Sequence, residues 1–113
     1  MTSGPWGEEQ AATFLRNKGW QITARNYRTR YGELDIIAEN EKYLVFVEVK
    51  TRKNDHFAQA REYVTPQKQK RLRITAEYWL QAHPTECQIR FDVIEVYGTP
   101  GRRAEIIHIE NAF

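Results

Sequence analysis

The sequence predicts an α/β domain in which helices flank one or both faces of a mixed β-sheet. Two segments with helical apolar spacing, 8–18 and 65–82, lie among five runs with strand character. Polar or Gly/Pro-containing breaks separate the runs, giving the order α-β-β-β-α-β-β. The 113 residues suffice for a single domain, 1–113, with a working core.

Glu8 to Lys18 reads as the first helix. Ala11, Phe14, Leu15 and Lys18 follow the i, i+3, i+4, i+7 pattern, and Gly19 stands where a helix stops. Trp20 to Tyr27 reads as a strand with Trp20, Ile22 and Ala24 on one face. Leu34 to Ala38 is a short apolar strand, Asn40-Glu41-Lys42 a polar break, and Tyr43 to Lys50 a second strand; together they predict an antiparallel hairpin. Thr51 to Val64 shows no clear period and is expected to be a loop. Thr65-Pro66 then supplies a cap residue and a proline for the first helical position. That helix runs to about Ala82, with Leu72, Thr75, Ala76, Trp79 and Leu80 as its buried stripe. Gln88 to Tyr97 alternates as a strand, Gly98 to Gly101 is a turn, and Ala104 to Ile109 is a final edge strand.

Composition narrows the classes of function. An apolar share of 41% and a charged share of 28% place the chain among ordinary globular proteins. A single cysteine, Cys87, rules out an internal disulfide and fits a reducing compartment. The first residues have no basic and then apolar stretch of the signal-peptide kind, and no run is long enough to span a bilayer. A cytoplasmic protein without membrane association is therefore expected. The net charge is only +2, but the positive charges cluster: Arg25, Arg28 and Arg30; Lys50, Arg52 and Lys53; Lys68, Lys70, Arg71 and Arg73. Such clusters either form a phosphate-binding surface or are simply solvated; their position around the acids described next favours binding.

In the second hairpin strand, Leu44, Phe46, Glu48 and Lys50 share one face, and Val45, Val47 and Val49 the other. A two-residue turn at Glu41-Lys42 pairs Asn40 with Tyr43. Counting outward, Asp35 lands opposite Glu48, and Glu33 opposite Lys50. Two carboxylates so placed repel each other unless a cation lies between them. Mg²⁺ suits the place, because it takes one or two carboxylates plus waters and substrate phosphate. Lys50 on the same face would neutralise a developing oxyanion or help to position a nucleophilic water. A one-residue slip of register would put Asp35 on the wrong face. The competing reading of the trio is a strand-end salt-bridge cluster worth little energy. Glu8 lies on the apolar stripe of the first helix. It is either an acid turned toward the sheet or an acidic first-turn residue favoured by the helix dipole. Glu9 is one position further round and less favourably placed.

At these residues the chain resembles known proteins. Asp35, twelve intervening residues, and Glu48-Val49-Lys50 resemble the Asp…Glu-x-Lys signature of the restriction-endonuclease-like superfamily. More closely, Gly7-Glu8, Gly32-Glu33-Leu34-Asp35-Ile36-Ile37-Ala38, Leu44 to Arg52, and Arg90-Phe91-Asp92-Val93-Ile94 are similar to the motifs of a bacterial family of YraN type. That family is predicted to be endonuclease-like and is distantly similar to archaeal Holliday junction resolvases. The resemblance implies a restriction-endonuclease-like core in the order α-β-β-β-α-β, here with an extra C-terminal strand. It also implies Asp35 and Glu48 as Mg²⁺ (or Mn²⁺) ligands and catalytic residues, Lys50 as the catalytic lysine, and Glu8 as a further metal-associated glutamate. Gln67 and Lys68 fall where many superfamily members carry an extra polar active-site residue. Leu34 departs from the proline found in many relatives.

The implied activity is metal-dependent hydrolysis of phosphodiester bonds in nucleic acid, DNA foremost and branched DNA by analogy with the resolvases, in repair or recombination. Since resolvases act as dimers, a homodimer is implied too. Arg28, Arg30, Arg52, Lys53, Gln67, Lys68 and Arg71 form the expected nucleic-acid-binding set. The alternative function is a non-catalytic nucleic-acid-binding module or repair adaptor on the same fold. His56, His83 and His108 lack zinc-ligand spacing, and Asp92 reads as a buried structural carboxylate. Tyr27, Tyr31, Phe57 and Tyr63 lie among basic residues and would either stack on unpaired bases or, more commonly, pack in the core.

Overall fold

Helix α1, Pro5–Asn17, opens on a proline at its first turn, which explains why it begins before Glu8. It ends in a Schellman arrangement: Gly19 N–H donates to Arg16 C=O and Trp20 N–H to Leu15 C=O, each at 3.0 Å. Gly19 takes φ +97°, a conformation open to glycine. The computed structural model describes residues 4–52 and 64–113, so Lys53, His56, Phe57, Tyr63 and most of the expected loop lie outside the described residues.

The remaining elements are β1 (Gln21–Thr29), β2 (Gly32–Glu39), β3 (Tyr43–Arg52), α2 (Pro66–Ala82), β4 (Gln88–Tyr97) and β5 (Glu105–Ile109). The five strands form one sheet in the order β1-β2-β3-β4-β5. Neighbours are antiparallel except β3 and β4, which are parallel and so need the α2 crossover between them. This is the α/β class and element order read from the sequence, with β5 as the added edge strand, and it is consistent with an endonuclease-like core.

The helices cover opposite faces. Ala11, Ala12 and Leu15 of α1 pack with Ile36, Ala38, Val45, Val47, Val49, Ile94 and Val96. Leu72, Ala76 and Trp79 of α2 pack with Ile37, Leu44, Phe46, Phe91 and Val93 on the other face. Burying each such large apolar side chain stabilises the fold by roughly 1.5–3 kcal/mol, so both faces are firmly specified. The valine face of β3 thus meets α1, and the face carrying Glu48 and Lys50 meets the side of α2.

Two boundaries differ from the sequence reading. Thr51 and Arg52 are not loop but continue β3, paired with Val96 and Tyr97 of β4. In β1 the register shifts between Ile22 and Ala24. Trp20 and Ile22 therefore pack on the α1 side and Ala24 on the α2 side, not all on one face. The extra bulge residue inverts the alternation downstream. Among the described residues, no helix is long and apolar enough to cross a membrane.

Candidate active site

The β2–β3 turn sets the register. Asn40 Oδ1 accepts from the N–H groups of Lys42 at 2.9 Å and Tyr43 at 2.7 Å, and Asn40 N–H donates to Tyr43 C=O at 3.0 Å. From this turn the ladder runs Glu39↔Leu44 to Ile36↔Val47, the register counted from the sequence. The paired ladder ends there, and Asp35, the next residue out, is close enough to Glu48 for the two charges to act on each other. At this point the side chain takes over from the backbone: Asp35 Oδ2 accepts from Val49 N–H at 2.8 Å. Glu33, beyond the paired ladder, is not hydrogen-bonded in register with Lys50; on the other side of β2 it pairs with Arg28 of β1, with a 3.5 Å ion pair between the two side chains. Leu34 and Ile37 both join the α2-side core, which strict alternation would not allow.

Helix α2 is set over this strand end by its own chemistry. Thr65 Oγ1 caps the helix by accepting from Lys68 N–H at 3.1 Å. Further along, Thr75 Oγ1 donates to Arg71 C=O at 2.9 Å and lies 3.2 Å from Thr29 Oγ1 at the end of β1. Gly32 passes close beneath: a Cβ there would stand 3.4 Å from Thr75 Oγ1. The result is a cleft of about 330 Å³ between the helix and the strand ends, lined by Glu33, Asp35, Glu48, Gln67, Lys68 and Arg71 among others.

Two of its acids are buried, Asp35 at 3% exposed and Glu48 at 6%; Glu8 of α1, which does not line the cleft, is 6% exposed. Glu8 lies on the buried side of α1, near enough for its charge to act on Asp35, so it is the sheet-facing acid of the two readings. Glu9 is exposed and pairs with Arg25 at 2.8 Å. Burial, followed by the negative charges of Glu48, Glu8 and Glu33, pushes the Asp35 carboxyl up to about 8, although the Val49 N–H pulls the other way. Glu48 is held by two ammonium groups, Lys50 Nζ at 3.2 Å and Lys68 Nζ in a short contact. Burial draws the Lys50 pKa below its ordinary value, with the neighbouring Lys68 adding to the fall and Glu48 opposing it. For Lys68 burial also works downward, but the hydrogen bond and charge of Glu48 outweigh it and the pKa rises.

The donor set fits a hard divalent cation in kind: carboxylate oxygens on adjoining strands, one of them with its pKa raised by burial and then by its acidic neighbours. Among the described residues, however, no three His, Cys, Asp or Glu side chains converge tightly enough to form a metal cage. Mg²⁺ asks for less, since one or two carboxylates are enough when water and phosphate complete its shell. Asp35 and Glu48 would be that pair, with the charge of Glu8 within reach of Asp35.

The expected nucleic-acid contacts divide. Gln67, Lys68 and Arg71 line the cleft. Arg28 lies outside, tied to Glu33, and Arg30 sits at the β1–β2 turn with its guanidinium 5.2 Å from the Tyr31 ring. Arg52 ends β3 opposite Tyr97. Neither His83, stacked on Trp79, nor His108, bonded to Asp92, lines the cleft. The sequence reading missed Glu95. It pairs in register with Lys50, is 3% exposed, and its Oε2 has no hydrogen-bond partner among the described residues. The available signal was an acid at an inward position of the Phe91, Val93, Tyr97 stripe.

The model of "Uncharacterised protein family UPF0102" matches residues 7–96, the whole span from the start of the acidic helix stripe to the end of β4. The chain belongs to this family. UPF0102 proteins of high similarity come from several bacteria. One from Syntrophomonas wolfei is 46% identical over 111 residues, covering 97% of this chain and 96% of the relative. One from Nocardia farcinica is 50% identical over 112 residues, covering 97% and 87%. One from Bifidobacterium longum is 44% identical over 114 residues, covering 97% and 91%. UPF0102 is the YraN-type family whose motifs the sequence resembles, and its match spans Glu8, Asp35, Glu48 and Lys50.

Proposed function

We propose that this UPF0102 protein is a metal-dependent nuclease that hydrolyses phosphodiester bonds in nucleic acid, with Asp35 and Glu48 holding Mg²⁺ or Mn²⁺. The observation that carries the proposal is the crowding at the end of β2 and β3. A buried aspartate lies one step beyond the last paired residues of β2 and β3, within electrostatic reach of the buried Glu48, and is raised to about 8 by burial and by surrounding acids, while Glu48 has Lys50 of its own strand 3.2 Å away. Such an arrangement costs stability unless a cation relieves it, and perturbed acid clusters in clefts mark functional sites.

Bound there, Mg²⁺ supplies Lewis-acid polarisation of a phosphoryl oxygen and a more acidic water. The chain supplies the rest. Lys50 places an ammonium where negative charge grows on the phosphate, in a site shielded enough for that charge to count. Lys68 and Arg71 on the cleft wall grip the backbone without reading sequence. Glu8 adds a third acid within electrostatic reach of Asp35 and favours the cation further. Branched DNA is the substrate class to try first, a homodimer the assembly and the cytoplasm the compartment.

The test is cleavage of branched, single-stranded and nicked substrates with Mg²⁺ or Mn²⁺. Glu48→Ala and Lys50→Ala, with unchanged melting behaviour, are each expected to lose about 100-fold or more of the activity. Full cleavage by either variant would refute the assignment. A second reading has its own support: with Glu48 held by both Lys50 and Lys68, the cleft is already close to charge-balanced. A non-catalytic nucleic-acid-binding module predicts salt-sensitive binding that survives removal of Asp35 and Glu48, and no cleavage with either metal.

A further inference from the structure

Next to the acidic cleft lies a feature that hydrolysis does not use. The two-residue turn between β1 and β2 presents Arg30 and Tyr31, and Tyr31 also lines the cleft. Its ring stacks on that of Tyr78 from α2, with centroids 5.8 Å apart and planes 23° from parallel. Tyr78 is 44% exposed, and Ile107 on the far edge strand is the other large apolar residue so exposed among the described residues. The core does not call for this ring. Tyr27 packs edge-on against Trp79 with centroids 5.2 Å apart, filling the space beneath α2 without Tyr78. The hydrogen bond with the Tyr31 side chain holds the Tyr78 hydroxyl above its ordinary pKa.

Along α2, Lys68, Arg71, Thr75 and Tyr78 follow helical i+3 and i+4 steps, so they share one side of the helix. Lys68 and Tyr78 are about 15 Å apart along the axis by helical rise. Two cations accompany the pair of rings: Arg71 on the cleft wall, and Arg30 with its guanidinium 5.2 Å from the Tyr31 ring. An aromatic face partly in water, beside cations and next to the cleft, is the chemistry that recognises unpaired bases. A base paired within a duplex buries both faces in its own stack.

We infer that Tyr31 and Tyr78 form a stacking platform for an unpaired nucleobase, which directs the cleft to strands with a single-stranded segment next to the scissile bond. This rests on the reading of the cleft as a nucleic-acid site. Arg30 and Arg71 hold the intervening phosphates and Tyr78 carries the base, so fully paired duplex lacks the contact.

The experiment uses a two-stranded duplex with a short unpaired tail carrying 2-aminopurine, and the same two-stranded duplex without the tail, titrated without divalent metal. The wild-type chain is expected to bind the tailed duplex more tightly and to quench the 2-aminopurine. Tyr78→Leu, which keeps an apolar side chain without a ring, should bind the tailed duplex about 10-fold more weakly and lose the quench. Tyr78→Phe should retain both, and blunt duplex should bind all three equally. Equal binding of the tailed duplex by wild type and Tyr78→Leu overturns the platform, as does equal wild-type affinity for the two duplexes. Tail-selective, ring-dependent binding with no hydrolysis in Mg²⁺ or Mn²⁺ upholds the platform and overturns the hydrolase. Hydrolysis in Mg²⁺ with binding unchanged in Tyr78→Leu does the reverse.

Discussion

Asp35 and Asp92 are both aspartates buried on interior strands, yet the protein treats them in opposite ways. Asp92 is 0% exposed and accepts four hydrogen bonds, from Arg90 Nε at 3.0 Å and Nη2 at 2.8 Å, His108 Nε2 at 2.7 Å and Asn111 N–H at 2.9 Å. Burial alone would raise its pKa, but His108, Arg90 and the Asn111 N–H outweigh burial and hold it below the ordinary carboxylate value. Asp35 has one backbone N–H and a ring of acids, and is driven up to about 8. A carboxylate that the fold has satisfied belongs to the fold. One that the fold has left in conflict is, on the proposed reading, where a cation binds.

The largest effect should come from removing the satisfied acid. Asp92→Ala leaves Arg90 and His108 facing a buried gap, and denaturant unfolding should show a loss of about 3–5 kcal/mol. Asp35→Asn keeps the bond from Val49 and removes the repulsion, so at alkaline pH it should be about 2 kcal/mol more stable than wild type. A loss of stability there would break the contrast. The pH profiles should differ in sign. Asp35 has a raised folded pKa, so the folded state holds the extra proton between the ordinary aspartate value of 3.8 and about 8, and stability falls as pH rises through that window. Asp35→Asn should flatten the slope. Asp92, with its lowered pKa, stabilises above the ordinary value of 3.8, and that contribution is lost only as pH falls through its lower folded pKa.

Gly7 offers a smaller and more indirect test. A Cβ there would stand 2.0 Å from Thr51 Oγ1, so Gly7→Ala must displace the Thr51 side chain or the start of α1. The overpacking should cost about 1–3 kcal/mol in denaturant unfolding. Displacement of the helix start would carry Glu8 away and lower the Asp35 pKa, read by carboxyl NMR titration. The smallest effect is expected at Glu9, exposed and paired with Arg25. Glu9→Ala should leave the melting midpoint and the Asp35 titration unchanged, whereas the neighbouring Glu8→Gln lowers the Asp35 pKa.

How much of this was legible follows from the range of each interaction. The Asn40 turn is local, and with alternation it gave the β2–β3 register and the face shared by Glu48 and Lys50. Thr65 and Pro66 marked the start of α2 for the same reason. The break at Asp35 was hidden, because it depends on a side chain displacing a backbone partner across the ladder. So were the bulge after Ile22, the reach of Lys68 to Glu48 from a distant helix, and the burial of Glu95 beside Lys50. Each depends on elements meeting in space, which periodicity along the chain does not encode.

The central claim is that the conflict around Asp35 is resolved by a divalent cation. Calorimetric titration of the wild-type chain with Mg²⁺ and Mn²⁺, set beside Asp35→Asn, tests it before any substrate is known. The account predicts saturable binding with proton release in the wild type as the raised carboxyl ionises, and neither signal in Asp35→Asn. Identical titrations of the two proteins, or no binding of either ion to the wild type, would contradict it.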